Sequence, residues 1–335
     1  MTKDIGVGVI GLGMGRNMLD INEDRASRMQ VRAICDSNED LLGRIKARYG
    51  IPFATLRYQE LLARDDIAVV GIYTPDDLHM EHIEAAIAAG KHVICTKPMV
   101  VSREQAARVV ELVRRSGRKF LVGQTCRFVP QFMAAKKLYD DGDLGRPLFA
   151  EAHYVHDMRP VLDATPWRWQ HPQDVMYGGA CHPIDLLRWF FGDVEEVFVY
   201  AAKSDMDPRY HMHDNFLINL RFSSGTIARV LAVYGLVEPP LPMLGLGIYG
   251  SKGTIVNDSL VLDKIEGKPV MKLSFGHEGG HGREVWRYMR HFEECLVEDK
   301  KPLVNEIEGA KVIATCSACW QSIRTGLPAK VDNCF

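Results

Sequence analysis

The sequence has no marked excess of charge of either sign and no long hydrophobic run. Its 41 Lys and Arg against 43 Asp and Glu give a formal net charge of -2, so it lacks the basic patch that nucleic-acid-binding proteins need. The longest apolar runs, such as 67–74, are far too short to span a bilayer. The first predicted strand begins within a few residues of Met1, which predicts no signal peptide. We therefore expect a cytoplasmic protein with no nucleic-acid or membrane partner.

Cysteine is sparse, and its spacing predicts no disulfide framework. Eight cysteines in 335 residues is a low density. Cys316 and Cys319 form a C-x-x-C motif without a second ligand pair, so one face of a helix is a better interpretation than a metal or redox site. Two pairs of closely spaced histidines raise the hypothesis of a metal site: His211/His213 and His277/His281. No carboxylate set completes such a site, and we expect no bound metal.

The first 124 residues alternate predicted strands with predicted helices. The strand-like runs are 6–10, 31–35, 69–74, 92–96 and 120–123, with a weaker one at 52–55. The helix-like segments include 38–49, 58–63, 78–89 and 103–116. Short β-branched strands alternating with amphipathic helices predict a doubly wound parallel sheet, that is, an α/β domain over 1–124.

The pattern changes after about residue 125. Helices are predicted over 132–140, 183–191, 283–298 and 308–325. Extended segments are predicted over 147–155, 194–203, 215–222, 226–233, 246–249 and 253–256. Several of these are joined by tight turns, which is typical of a mostly antiparallel open sheet in an α+β domain. We expect this second domain, over 125–335, to pack against the first around a cleft.

The segment Gly11-Leu12-Gly13 follows the first predicted strand and precedes a helix. The first glycine permits a tight turn, and the second lets the backbone approach a pyrophosphate at the helix N-terminus. The third position of the G-x-G-x-x-G pattern holds Arg16, with a glycine displaced to Gly15. The loop alone therefore leaves both a dinucleotide site and a generic strand-to-helix turn open.

Asp36 favours the dinucleotide interpretation. It ends the second strand about 25 residues after Gly11, where a carboxylate accepts hydrogen bonds from ribose hydroxyls and repels a 2′-phosphate. The following Ser37-Asn38 adds no arginine for that phosphate. NAD is therefore favoured over NADP, and the alternative is that Asp36 caps the next helix.

The segment Thr74-Pro75 ends another predicted strand and sets an extended chain end above the sheet, near the expected position of a nicotinamide ribose. His79 follows within reach of a ligand. Capping or packing at the start of the next helix is the better interpretation of this histidine.

Taken in order, these pieces resemble the glucose–fructose oxidoreductase, inositol dehydrogenase and rhizopine-catabolism (Gfo/Idh/MocA) family. The matching motifs cover nearly the whole chain: Gly11/Gly13, Thr74-Pro75 with His79, Gly90-Lys91-His92-Val93 running into Lys97-Pro98, Arg127-Phe128 with Pro130, Gly178-Gly179, His182-x-x-Asp185, Gly250-x-x-Gly253 and the Ser322 to Gly326 tail.

The resemblance implies an NAD-dependent oxidoreductase that acts on a secondary alcohol of a sugar, a polyol or a related compound. It implies a Rossmann domain followed by an open-sheet domain through which homodimers or homotetramers form. Members of the family also include glycosidases that oxidise a sugar transiently with tightly held NAD, eliminate the aglycone and return the hydride. That alternative stays open, as does a non-catalytic protein that senses the cofactor.

The resemblance also implies a set of site residues. The catalytic residues would be Lys97, His182 and Asp185. The cofactor-binding residues would be Gly11, Gly13, Met14, Asp36, Thr74, Pro75, His79, Thr96, Lys97 and Gln124. The substrate-binding residues would be Arg127, Tyr154, His156, Trp167 and Arg168.

Oxidising a secondary alcohol removes one hydride and one proton. Histidine, with an ordinary pKa of about 6.5, suits the proton transfer, and His182 is the candidate acceptor. Lys97 ends a parallel strand, where such sheets bind ligands, and its ammonium would favour a developing alkoxide. Asp185 would hold the imidazole or cap the helix that follows.

Two positions depart from the family pattern. Thr96 stands where the family usually has Glu, and Gly178 stands where an acidic residue often precedes the histidine by four positions. The candidates for supplying the missing polarity are His156, Asp157, Asp174 and Tyr177. The aromatic faces of Trp167-Arg168-Trp169 suit a sugar ring, and Arg159 and Arg168 suit an anionic substituent.

Overall fold

The computed structural model describes residues 3–237, 239–275 and 282–335, with the side chains of 282 and 283 left out. Within these ranges the chain divides into two compact units. The first comprises 3–125 together with 282–310, and the second comprises 126–275 together with 311–334. The helix that follows residue 281 thus groups with the first unit, which the strand pattern did not predict. The predicted boundary between 124 and 125 stays a prediction.

The first unit is built on a six-stranded parallel sheet. Its strands are β1 (Ile5–Ile10), β2 (Met29–Cys35), β3 (Phe53–Thr55), β4 (Val69–Ile72), β5 (His92–Thr96) and β6 (Phe120–Gly123). Their order is β3-β2-β1-β4-β5-β6, with all neighbours parallel. The predicted doubly wound sheet is confirmed. Every residue of β4 and of β6 is buried, because helices cover both faces of such a sheet.

Helices connect these strands. They are a 3-10 helix over Gly15–Asn22, α1 (Glu39–Tyr49), α2 (Tyr58–Leu62), a 3-10 turn over Asp76–Leu78, α3 (His79–Ala88) and α4 (Arg103–Ser116). The side chain of Asn38 caps α1 by accepting from the backbone N–H of Leu41, and Gly50 ends it in the left-handed region.

The second unit is built on a nine-stranded sheet. Its strands are β7 (Pro147–Val155), β8 (Val194–Ala202), β9 (Asn215–Phe222), β10 (Ile227–Val233), β11 (Leu244–Gly250), β12 (Gly253–Val256), β13 (Ser259–Leu262), β14 (Met271–Lys272) and β15 (Ala329–Lys330). Their order is β14-β13-β12-β11-β7-β10-β9-β8-β15. Among the described strands of this second sheet, only β7 and β10 pair in parallel, so the predicted mostly antiparallel sheet is confirmed.

The remaining helices complete both units. They are α5 (Pro130–Asp140), α6 (Arg159–Ala164), α7 (Cys181–Phe191), α8 (Gly282–Val297) and α9 (Glu306–Thr325), with 3-10 turns over Thr125–Phe128 and Pro166–Trp169. A π-helical turn over Met176–Ala180 leads directly into α7, and such turns are frequent at functional sites. No helix in the described ranges has both the length and the apolar character needed to cross a membrane.

Candidate active site

The glycine loop lies after β1, next to the point where the strand order reverses between β1 and β4. Gly11 has a φ of 88°, and a Cβ there would lie 2.6 Å from the carbonyl carbon and oxygen of Tyr73. A Cβ on Gly13 would meet no atom within 4 Å, whereas one on Gly15 would lie 2.9 Å from Cγ1 of Val9. Gly15 therefore provides the close helix-to-strand packing of the third fingerprint glycine, one position early.

The carboxylate of Asp36 lies against this loop. Its Oδ2 accepts a hydrogen bond from the backbone N–H of Leu12 at 2.7 Å, and its Oδ1 accepts from the backbone N–H of Asn38 at 2.8 Å. Asn38 is the residue that caps α1, so the alternative that Asp36 caps this helix is wrong. A carboxylate has about four acceptor sites, and Asp36 therefore keeps capacity for ribose hydroxyls.

His79 is placed in the interior, under the ends of β4 and β5. Its Nδ1 lies 2.8 Å from the carbonyl oxygen of Pro98, and its Nε2 lies 2.9 Å from that of Thr74. Burial lowers the pKa of His79, and a neutral ring donates to one of the two oxygens. The structure agrees with the interpretation that His79 packs at the start of the next helix, and the alternative of a cofactor contact is corrected: this ring holds together the two segments that follow β4 and β5.

The other predicted cofactor residues follow the carboxyl ends of neighbouring strands. Thr74 and Pro75 follow β4, Thr96 and Lys97 are half-buried at the end of β5, and Gln124 follows β6. The Oε1 atom of Gln124 is buried and has no hydrogen-bond partner among the described residues. Met14, nearly half exposed, precedes the 3-10 helix after the glycine loop.

These features of the first unit fit a dinucleotide. The backbone at Gly11 approaches the end of β4 too closely for any side chain, and Gly13 leaves open space beside the loop. A carboxylate at the end of β2 and a buried amide acceptor after β6 lie at the same edge of the sheet. That edge is where doubly wound sheets bind nucleotides.

His182 is the second residue of α7, and its side chain is buried. Its ring stacks on the ring of Tyr154, with centroids 5.4 Å apart and planes 18° apart. Its Nδ1 lies 3.9 Å from Sγ of Cys126. His156 and Tyr234 also contact Tyr154 through their rings, at centroid distances of 6.4 Å and 5.6 Å. Three predicted residues of the second unit, Tyr154, His156 and His182, are therefore brought together.

Asp185 forms a buried ion pair with Arg127. The guanidinium donates from Nε to Oδ2 at 2.9 Å and from Nη2 to Oδ1 at 2.7 Å. The side chains are 0% and 3% exposed, and the pairing is the bidentate arrangement that arginine favours. The two roles expected of Asp185 were to hold the imidazole or to cap α7. Neither is observed, because its carboxylate oxygens bind Arg127 and α7 has no side-chain cap. Arg127 as a substrate contact stays a prediction; two nitrogens of its guanidinium bind Asp185.

Three of the four predicted replacements for an acid at Gly178 have other hydrogen-bond partners. Asp157 binds Arg159 with two hydrogen bonds, of 2.8 Å and 2.7 Å. Asp174 accepts from Nε1 of Trp320 at 2.7 Å. The hydroxyl of Tyr177 lies 3.2 Å from Oγ of Ser317.

A residue absent from the predicted set lies over Gly178 instead. A Cβ on Gly178 would lie 2.3–2.5 Å from the Cγ, Cδ and Oε1 atoms of Gln173. Oε1 of Gln173 accepts a hydrogen bond from Nη1 of Arg168 at 3.3 Å. The guanidinium of Arg168 also covers the ring of Trp167, at 4.6 Å from its centroid. The adjacent glycines are the signal in the sequence that a side chain is packed against this turn.

The two cysteines of the C-x-x-C motif are poorly suited to bind a metal. Both Cys316 and Cys319 are buried on α9, and burial raises the pKa of each thiol, which disfavours the thiolate that binds metals. His213 packs against the ring of Trp320. The other predicted pair, His277 and His281, lies outside the described residues.

A doubly wound sheet with a glycine turn, a carboxylate after β2 and a second α+β unit carrying a buried histidine defines a class: NAD-binding oxidoreductases. A family model described as "Oxidoreductase family, NAD-binding Rossmann fold" matches residues 5–124. A second, the "GFO/IDH/MocA C-terminal domain", matches residues 132–256. The chain belongs to the Gfo/Idh/MocA oxidoreductase family. The predicted family, enzyme class and cofactor are thereby confirmed.

The chain is similar to several relatives and, in its fold, to a solved structure over nearly its whole length. The chain is 27% identical to inositol 2-dehydrogenase 2 of Saccharopolyspora erythraea, over 97% of this chain and 95% of the relative. It is 24% identical to 1,5-anhydro-D-fructose reductase of Ensifer adhaerens, over 97% of this chain and 98% of that protein. A levoglucosan dehydrogenase solved with NADH and L-sorbose superposes with a TM-score of 0.89 at 22% identity, over 99% of this chain and all of that one.

Proposed function

We propose that the protein is an NAD-dependent dehydrogenase that oxidises a secondary alcohol of a sugar or polyol. The observation that carries the proposal is His182, a buried imidazole stacked on Tyr154 at the start of α7. The first unit supplies a glycine loop and an Asp36 carboxylate that fit NAD. Relatives named for inositol and anhydro-fructose chemistry support the substrate class.

NAD, when bound, supplies the hydride acceptor. His182 takes the hydroxyl proton, because imidazole is the side chain whose ordinary pKa allows it to accept and release a proton near neutrality. We assign the transfer to Nε2, since Nδ1 faces the thiol of Cys126. Stacking on Tyr154 fixes the plane of the ring and so the direction of proton transfer.

Lys97 is the proposed partner of His182 in the reaction. Its ammonium, at the end of β5, would hydrogen-bond the reacting hydroxyl and stabilise the negative charge that develops on the oxygen. Replacing Lys97 with Met keeps most of the stem and removes the charge. We expect kcat to fall by about 10²–10³-fold for the variant, an effect typical of a lost electrostatic donor.

The experiment screens myo-inositol, levoglucosan, common aldoses and aryl glycosides with NAD, comparing wild type, Lys97→Met and Lys91→Met. Lys91 is the matched control, because its ammonium donates to the carbonyl oxygen of Arg64 at the opposite end of β5. Net NADH formation supports the dehydrogenase. Aglycone release without net NADH would favour the glycosidase, and tight NAD binding without any turnover would favour a cofactor-sensing protein. Full activity of Lys97→Met would refute the role of this lysine.

Asp36 is the proposed determinant of NAD over NADP. Asp36→Asn keeps an oxygen that accepts from Leu12 but removes the negative charge. We expect NADH binding to weaken about tenfold, as a charge-assisted hydrogen bond is lost, and NADPH binding to tighten because a repulsion is removed. Fluorescence titration of both reduced cofactors measures the ratio. The control is Asp65→Asn, which removes an exposed carboxylate before β4. An unchanged ratio of NADH to NADPH affinity in Asp36→Asn would contradict the ribose contact.

Assembly through the second sheet and a cytoplasmic location stay predictions. A row of exposed apolar side chains supports the predicted assembly. Tyr200 on β8 pairs with Leu217 on β9, which in turn pairs with Leu231 on β10. A polyol or sugar remains the expected partner, bound beside Tyr154, His156, Trp167 and Arg168.

A further inference from the structure

Two histidines of α3 hold Thr74, the threonine that follows β4. Nε2 of His79 lies 2.9 Å from the carbonyl oxygen of Thr74, and Nδ1 of His82 lies 3.0 Å from the hydroxyl oxygen of the same residue. The two histidines are three positions apart, so they share one face of the helix. The backbone and the side chain of Thr74 are therefore both held from α3.

The ring of His82 is itself fixed in place. It is buried, and it meets the ring of Tyr58 on α2 edge to face, with centroids 4.6 Å apart and planes 86° apart. The hydroxyl of Tyr58 donates to Oε1 of Glu81 at 2.8 Å, which ties that ring back to α3. A ring fixed in this way keeps the Thr74 side chain in one rotamer, since a β-branched side chain has few alternatives.

Thr74 lies beside the glycine loop. A Cβ on Gly11 would lie 2.8 Å from the backbone nitrogen of Thr74. Strand β4 neighbours β1 on the side away from β2, and doubly wound sheets bind nucleotides at this switch in strand order. Asp36, after β2, is the proposed contact of the adenosine ribose. The nicotinamide ribose of the same cofactor would then lie on the β4 side of the loop, where Thr74 is half-buried.

We propose that His82 is a positioning residue for the cofactor, and that its ring orients the hydroxyl of Thr74 towards the nicotinamide ribose. The inference rests on the proposed binding of NAD by the first unit. A threonine hydroxyl donates one hydrogen bond and accepts two. Its contact with His82 therefore leaves capacity for a ribose hydroxyl.

The contact between His82 and Thr74 does not need a charged ring. Burial lowers the pKa of His82, and Glu81 opposes this with a smaller effect. The ring is therefore neutral near pH 7, with one N–H and one acceptor nitrogen. The titratable groups that face it are Glu81 and His79 on α3 and Tyr58 on α2. Because an amide also carries a donor and an acceptor, asparagine is the conservative replacement for this histidine.

The test compares ADP, which lacks the nicotinamide ribose, with ADP-ribose, which contains a ribose in that place, by isothermal titration calorimetry. For His82→Leu we expect ADP-ribose affinity to fall about three- to tenfold, as for a lost neutral hydrogen bond, and ADP affinity to stay within about twofold. His82→Asn should restore most of the lost affinity. The control is His92→Leu, because Nδ1 of His92 accepts from the backbone N–H of Lys119 at 2.9 Å at the amino end of β5. It should leave the ratio of the two affinities unchanged.

The variant Thr74→Val keeps the shape of the threonine and removes its hydroxyl. It should show the same selective loss of ADP-ribose affinity, and adding His82→Leu should cost nothing further. If His82→Leu fails to fold, Thr74→Val and His82→Asn decide the test, with a loss expected in the first and little or none in the second. Wild-type ADP-ribose affinity in Thr74→Val or in folded His82→Leu would overturn the proposal, as would an equal weakening of both ligands. A wild-type protein that binds neither ligand would instead refute the proposed NAD site itself.

Discussion

The variant His182→Ala is expected to lose about 10²–10⁴-fold in kcat/KM for NAD-dependent alcohol oxidation, the usual contribution of a positioned general base. Without the imidazole, the hydroxyl proton must leave to water while the hydride leaves the carbon. NADH binding should stay within about twofold, because the residues that fit the dinucleotide belong to the first unit. Steady-state NADH formation across a range of pH and a fluorescence titration of NADH measure the two effects.

The control for this variant is His153→Ala. His153 precedes Tyr154 in β7, so its side chain points to the opposite face of the sheet, where Nε2 lies 2.9 Å from the carbonyl oxygen of Pro242. Its loss should leave kcat/KM unchanged. A His182→Ala enzyme with the wild-type rate, or a loss matched by His153→Ala, would remove the basis for the proposed proton transfer.

The sequence allowed the proton acceptor to be predicted, but not the residues that surround it. His182 was recognisable because it lies in a short motif of the family that the chain resembles, three residues after Gly179 and at the start of an amphipathic helix. The stacking of Tyr154 was not, because it requires a strand that ends 27 residues earlier, at Val155, to lie against the start of α7. Periodicity predicts which face of β7 is buried, but not which ring on that face meets which helix residue.

The pairing of Arg127 with Asp185 is a second contact that the sequence could not predict. The two residues are 58 positions apart, and each has chemistry that would suit a substrate. A sequence carries no local signal that one buried charge is neutralised by another. Gln173 was missed for a related reason, since a glycine reveals that space is needed and not which side chain fills it.

The parallel sheet was predictable because its signals are local. The strands β4 and β6 are short, apolar and buried at every position, and a run of that kind between amphipathic helices has few other interpretations. The first glycine of the loop was predictable on similar grounds. The position of His79 was predictable in part: packing at the start of the next helix was the better interpretation, but the sequence does not show that two carbonyl oxygens are the partners of the ring.

The variant Arg127→Met is expected to destabilise the second unit by about 3–5 kcal/mol, because it leaves the Asp185 carboxylate buried with its main ion-pair partner removed. Four of the five tryptophans lie in this unit: Trp167, Trp169, Trp189 and Trp320. Urea unfolding monitored by tryptophan fluorescence therefore reports the free energy of unfolding of the second unit. Arg229→Met, which breaks the more exposed pair with Glu151 on the sheet, is the control and should cost within about 1 kcal/mol.

Replacing both charged residues with apolar ones tests whether the unpaired buried charge causes the loss of stability. The double variant Arg127→Met/Asp185→Leu removes both buried charges, and replacing a buried ion pair by apolar side chains is often neutral or stabilising. We expect it to recover most of the stability lost in Arg127→Met, and the difference between the double variant and the sum of the single variants gives the coupling energy. If Arg127→Met costs no more than Arg229→Met, the pair does not hold α7 in place. The position of His182 three residues before Asp185 would then have to come from the π-helical turn and Tyr154 alone.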